Sequence, residues 1–258
     1  EEYGHLTRAR RSTSVELQEA LDRIEEHGGT PAQLDSDPPN AQSNAAVALA
    51  GLFSPQGIER LDKESFELLP QGQFTFDPLQ LEKVIRFRRM HDGARLDARA
   101  GYDRPECHFG LMHKAGFFAD TSFVEVVRIC GRLEAFQAAE CLANNDLAGT
   151  VEALDYMLRC AEALAGEQHV ICRIEAARLR RVALSVIEAL VHHRDLDTNS
   201  LAQAHALLAG QLERWPSDAR AWIGDRALGR PTSEAIRGRD RSCPVPGPDI
   251  HQAVAGMA

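Results

Sequence analysis

The chain has 258 residues, 44% of them hydrophobic and 26% charged, the balance of an ordinary globular protein with ample apolar material for a core. Its 29 Lys and Arg face 38 Asp and Glu, a formal net charge of −9, which excludes a molecule whose main work is neutralising nucleic-acid phosphates. No run of about 18 apolar residues occurs, so no membrane span is expected within the chain.

The first residues, Glu1-Glu2-Tyr3, carry no initiator Met, which reads as a leader or anchor removed upstream or a start inside a longer gene product. Segment 1–12, with Arg8, Arg10 and Arg11, reads as a flexible solvated coil. Thr13 and Glu16 form a capping box ahead of Val15, Leu17, Leu21 and Ile24, and Gly28-Gly29 stops that helix. A polar linker follows over 30–40. Segment 44–53 is a short apolar helix ended by Ser54-Pro55-Gln56-Gly57, and 58–69 is another, closed by Pro70-Gln71-Gly72. Asp77-Pro78 opens a helix that runs to about Arg89 or on past Gly93, with an N-cap and a Pro at its first position. Gln73-Phe74-Thr75-Phe76 alternates in period two but is too short to build a sheet.

Residues 100–120 break the helical rhythm and read as extended or irregular. A long loop inside a compact domain is the place to look for function. From Thr121 the periodicity is strong. Phe123, Val126, Val127, Cys130 and Leu133 share one face of a long helix, and Asn144-Asn145-Asp146 makes a turn. Leu147, Val151, Leu154, Leu158, Ala161 and Ala165 then recur at spacings of four and three, the stripe of a helix packed on an antiparallel neighbour. A third long helix carries Cys172, Ala176, Leu179, Ala183, Val186 and Leu190, and a fourth carries Leu201, Ala204, Leu208 and Leu212. Pro216 ends it. Segment 217–228 is a final short helix, and 229–258 is a Pro-rich tail. The domain is thus expected over 13–228.

The run 139–154, in which a helix ends, a polar turn follows and small residues admit a close second helix, resembles the middle of a tetratricopeptide repeat. The expected fold is all-α: an irregular tetratricopeptide-like stack of antiparallel helical hairpins, an α-α superhelix, with one long extended interior loop. More widely, Asn44-Ala45-Ala46, then Arg104-Pro105-Glu106-Cys107-His108-Phe109-Gly110, then the hairpin and the 171–190 helix resemble, over about residues 40–200, a group of helical proteins of planctomycete bacteria. The resemblance implies a shared fold and a cell-envelope location, and it supplies no catalytic residue.

Six cysteines are present and none forms a CxxC pair. Cys130 and Cys160 flank Asn145 symmetrically, so a hairpin folded there brings them near one another; two buried thiols are favoured over a disulfide. Cys107, His108 and His113 are the metal-ligand candidates, with Asp120 or His91 to complete a zinc or iron set. The competing reading plugs Cys107 and Phe109 into the core and leaves the histidines to solvent. Adjacent side chains such as Cys107 and His108 point apart in an extended chain, which counts against a thiolate–imidazole nucleophile.

Tyr102, Arg104, Cys107, His108 and Phe109 are the binding candidates of the loop. Arg173, Arg178 and Arg181, on the third long helix, are suited to an acidic peptide, phosphate or carboxylate. The competing reading pairs them with Glu140, Glu152, Glu162 or Glu175 on helix surfaces. No catalytic residue and no cofactor is assigned. The leading expectation is a protein-interaction scaffold with a groove for a protein or peptide partner. In it, segment 102–118 is either part of the binding surface or a built-in plug. The alternative is a metal- or thiol-dependent enzyme centred on Cys107, His108 and His113, and a third reading is a sensor holding a small ligand between helices.

Overall fold

A computed structural model describes residues 29–35, 40–69 and 74–238, with Glu19, Asp22, Arg23, Glu25 and Glu26; for Ala32 and 230–238 it describes the backbone only. The expected coil 1–12, the Thr13–Glu16 capping box and residues 239–258 lie outside the described residues. The protein is all-α, and no strand occurs among the described residues. Among the continuously described residues ten α-helices follow in order: α1 (Pro31–Leu34), α2 (Ala45–Leu49), α3 (Pro55–Leu68), α4 (Pro78–Met90), α5 (Asp92–Tyr102), α6 (Phe123–Ala143), α7 (Leu147–Gly166), α8 (Val170–Val191), α9 (Thr198–Arg214) and α10 (Asp218–Gly238). A 3-10 helix, His113–Phe118, lies between α5 and α6. None of these helices is long and apolar enough to cross a membrane.

Local chemistry sets the ends. Ser54 caps α3 by accepting the Gly57 N–H at 3.2 Å, with Pro55 at the first helical position. Asp77 accepts from Gln80 N–H at 2.8 Å and closes a capping box on α4. Asp146 caps α7 and Asp197 caps α9 in the same way. The α6–α7 turn needs one left-handed residue, and Asn145 supplies it at φ 59°.

Helix α6 is apolar around most of its circumference, as a helix covered on several sides must be. Helices α2, α3, α4, α5, α7 and α8 all pack on it. One core cluster gathers Leu61, Val84, Phe87, Phe136, Met157 and Leu190 between α3, α4, α6, α7 and α8. The second gathers Leu49, Tyr102, Val127, Cys160, Leu164 and Leu179 beneath α2 and α5. Buried ion pairs key α4 and α5 onto α6. Glu134 accepts from Arg99 Nε at 2.7 Å and Nη2 at 2.6 Å, while Glu140 accepts from Arg89 Nη2 at 2.6 Å and from Arg88. A carboxylate removed from water in this way tolerates one register, because slippage would leave it unpaired.

The structure departs from the sequence reading at several places: α3 starts at Pro55 rather than at 58, and on α9 Ala204 is buried while Leu201 and Leu212 of the expected stripe are exposed. The irregular stretch starts at Asp103 rather than at 100, since α5 continues through Gly101 and Tyr102. Gly101 is there a packing contact: a methyl built on it would come within 3.2 Å of the Ala48 side chain of α2. The same stretch ends in the 3-10 helix rather than staying extended to 120. Helix α10, expected to stop at Leu228, continues to Gly238, because Ala221, Ala227 and Leu228 are buried and anchor it while Glu234-Ala235-Ile236-Arg237 consists largely of good helix formers.

Candidate functional site

After a turn at 103–105, segment 106–109 crosses the helices as an extended chain held by its main chain. Asn44 is 2% exposed and uses its carboxamide on both backbone atoms of one residue. Its Oδ1 accepts the His108 N–H at 2.9 Å, and its Nδ2 donates to the His108 carbonyl at 2.8 Å. Ala45 N–H donates to the Glu106 carbonyl at 2.8 Å, and Glu106 N–H donates to the Ser43 carbonyl at 3.2 Å. Arg104 Nη1 donates to the carbonyls of Ala41 and Asn44, each at 2.9 Å. Beyond this clasp, Phe109 N–H donates to Glu167 Oε1 at 2.8 Å, and the Phe109 ring stacks on Phe123 with centroids 4.3 Å apart. Tyr102, at the segment's root, is buried, and burial first and the nearby Cys160 second hold its hydroxyl proton on.

The three candidate metal ligands are not assembled. Among the described residues no group of three or more His, Cys, Asp or Glu side chains is placed to hold a metal ion. His108 is exposed, whereas His113 is 3% exposed and already engaged. Its Nδ1 lies 3.1 Å from Asp35 Oδ1, its backbone N–H donates to the same oxygen at 2.7 Å, and its Nε2 lies 3.4 Å from the Gln168 carbonyl oxygen. His113 therefore ties the α1 turn to the α7–α8 junction. Cys107 is partly buried against the second core cluster. Burial, with Glu167 adding to it, pushes its thiol up to about 12, the opposite of what a nucleophile needs. Cys130 and Cys160 are free thiols within the core.

The arginine candidates divide. Arg173 is structural: its Nε donates to Asp218 at 2.7 Å, it also donates to the Pro216 carbonyl, and it lies over the Trp215 ring at 4.6 Å. Arg178 pairs with the buried Glu175 one turn earlier, as the surface-pair reading holds, but Glu140, Glu152 and Glu162 pair with arginines of α4, α5 and α9 instead. Arg178 and Arg181 border a cleft of about 570 Å³ between α3, α6 and α8, which Asp62, Phe66, Arg128, Arg132, Glu175 and Leu179 also line.

A second cleft, of about 820 Å³, opens beside the docked segment between Val47 and Phe53 on one side and Phe109, Met112 and Phe123 on the other. Asp62 and Arg128 line both clefts and stand at their junction. Arg128 donates to Asp62 from Nε at 2.8 Å and from Nη2 at 2.7 Å, while Arg132 Nη1 reaches Asp62 Oδ1 at 2.9 Å. Sequence reasoning missed this centre. The available signal was the pair Arg128 and Arg132, four residues apart on a largely apolar helix.

No family model matches the chain, and no curated protein or solved structure matches it. What the geometry itself defines is an all-α protein with a two-lobed cleft beside an internally docked extended segment.

Proposed function

We propose that the protein is a non-catalytic scaffold for protein–protein interaction, a tetratricopeptide-like stack of helical hairpins that seats an extended polypeptide in the cleft along α3, α6 and α8. The observation that carries this reading is the clasp of Asn44 on His108. Residues at the start of α2, with Glu167 after α7, hold this segment by its main-chain groups, and an open, largely apolar cleft continues beside it. A bound peptide would bury side chains against Phe53, Phe109 and Phe123, while its specificity would come from what it places against the charged junction. The docked segment then serves as one wall of the groove, and the planctomycete helical proteins that the 40–200 pattern resembles are candidates for the same use.

The test is panning a displayed library of unstructured peptides against the whole chain, followed by hydrogen–deuterium exchange with an enriched peptide. Protection along α3, the N-terminal half of α6 and segment 107–112 is expected. Failure to enrich any peptide, or protection confined to other surfaces, would overturn the reading.

A further inference from the structure

The lobe of the cleft between α3, α6 and α8 is more positive than the protein around it. Four arginines, Arg128, Arg132, Arg178 and Arg181, line it against two carboxylates, Asp62 and Glu175, in a chain whose net charge is −9. Those two carboxylates are fully occupied. Asp62 gives both oxygens to Arg128 and one of them also to Arg132, and Glu175 accepts from Arg178 with Arg128 Nη1 at 3.5 Å. Donors are left over. Arg132 is fixed through Nη1 alone, by the Asp62 carbonyl and carboxylate and by Ser65 Oγ at 3.0 Å, so its Nε and Nη2 have no partner among the described residues. Arg181 makes no side-chain hydrogen bond or ion pair among the described residues and is exposed. Burial holds the Arg132 guanidinium below its usual value against the opposing pull of Asp62, and the charge of Arg128 adds to the lowering.

An apolar shelf adjoins these donors. Phe66 is 50% exposed with Arg132 over its ring at 5.3 Å, and Leu69, Leu179 and Val182 continue the wall. A free guanidinium edge in a partly desolvated cleft favours the planar, two-oxygen geometry of a carboxylate. The apolar shelf adds a requirement that a small free ion cannot meet. The protein's overall negative charge disfavours nucleic acid as the occupant.

We infer that this lobe is a carboxylate subsite, and that the polypeptide seated in the cleft is an acidic segment in which Glu or Asp alternates with apolar residues. Arg132 and Arg181 contact its carboxylates, Phe66 and Leu179 its apolar side chains, and Asp62 positions Arg132. This inference rests on the scaffold reading above.

The experiment is fluorescence anisotropy on the full chain with labelled peptides of about ten residues, alternating Glu-Leu, Gln-Leu or Lys-Leu, beside the peptides enriched by panning. The Glu-Leu peptide is expected to bind at least about tenfold more tightly than the Gln-Leu peptide, with an affinity that falls as salt rises. Arg181→Gln is expected to lose about three- to tenfold of that affinity, and Arg86→Gln, on the outer face of α4, none. Arg132→Gln should remove most of the Glu-over-Gln preference. Because Arg132 is braced inside the fold, the exposed Arg181→Glu variant, which should favour the Lys-Leu peptide, keeps the test independent of folding. Equal affinity for Glu-Leu and Gln-Leu, or an Arg181→Gln variant that binds Glu-Leu unchanged, overturns the acidic subsite. In that outcome, panned peptides that still protect the cleft leave the scaffold reading standing. If no peptide of any composition binds, both fall.

Discussion

Gly224 rests directly against Gln168: a methyl group built on Gly224 would overlap the Gln168 carbonyl oxygen. Main chain thus meets main chain where α10 crosses the α7–α8 junction. Asp225, the next residue, accepts the Val170 N–H at 2.9 Å and lies 3.2 Å from His169 Nδ1. The contact cannot relax by a rotamer change, because a carbonyl oxygen has none. Gly224→Ala is expected to cost about 1–3 kcal/mol by overpacking and to lift α10 from this junction. Hydrogen exchange should show faster exchange in α10 and at His113, with α6 and α7 unchanged.

Removing the Asn44 carboxamide takes away the pair of bonds to His108 and the bond that Ala46 N–H donates to Oδ1 at 3.1 Å. Asn44→Ala is expected to destabilise the protein by roughly 2–4 kcal/mol, since the main-chain groups it satisfies are left in a largely buried place. Limited proteolysis should then cut within 103–112 well before the helices unfold. Asn44→Asp loses the donor to the His108 carbonyl and buries a charge, so it should be no milder.

Two buried glutamates give stability opposite slopes with pH. For Glu140 burial alone would raise the pKa, but hydrogen bonds from Arg88 and Arg89 hold it below its ordinary 4.5. Its contribution is therefore present above about 4.5 and lost as pH falls through the lower folded value. Glu140→Gln is expected to cost about 1–3 kcal/mol near pH 7, because Arg88 keeps only its bond to Asp92 while Arg89 turns to solvent. For Glu167 burial dominates and raises the pKa, despite the Phe109 N–H and the nearby His108 and His113. Its contribution is complete below 4.5 and declines as pH rises through the higher folded value. Glu167→Gln keeps an acceptor for Phe109 and should raise stability at pH 7 while flattening that decline. Urea titrations from pH 3 to pH 8 read both slopes.

The thiols of the fold should be inert. With Cys107 and Cys130 near 12, about one part in ten thousand is thiolate at pH 8. In a Cys243→Ser background, alkylation of the native protein is expected to be slower by orders of magnitude than after unfolding, and Cys107→Ser should leave peptide binding unchanged. Fast modification of Cys107 in the native state would contradict this arrangement.

Regular apolar spacing made α6, α7 and α8 legible, because a helix buried along a stripe must repeat its apolar residues at three and four. The cap Asp77 was legible because its partner lies within three residues, whereas Asp146 was read only as part of a turn and caps α7 as well. What escaped depends on partners that no local pattern names. Arg128 and Arg132 become a charged centre only through Asp62 of α3, and His113 becomes a strut only through Asp35 and the Gln168 carbonyl. Gly101, inside the stretch read as irregular, is helical and lies against Ala48, a neighbour that no local pattern names.

The clasp on His108 closes on main-chain atoms alone. It therefore fixes where the segment lies without prescribing what the segment carries. The His108 side chain stands exposed on an anchored backbone at the edge of the larger cleft. Such a position can exchange its side chain at little cost in stability, so the lip of the groove can be re-lettered while its frame stays in place.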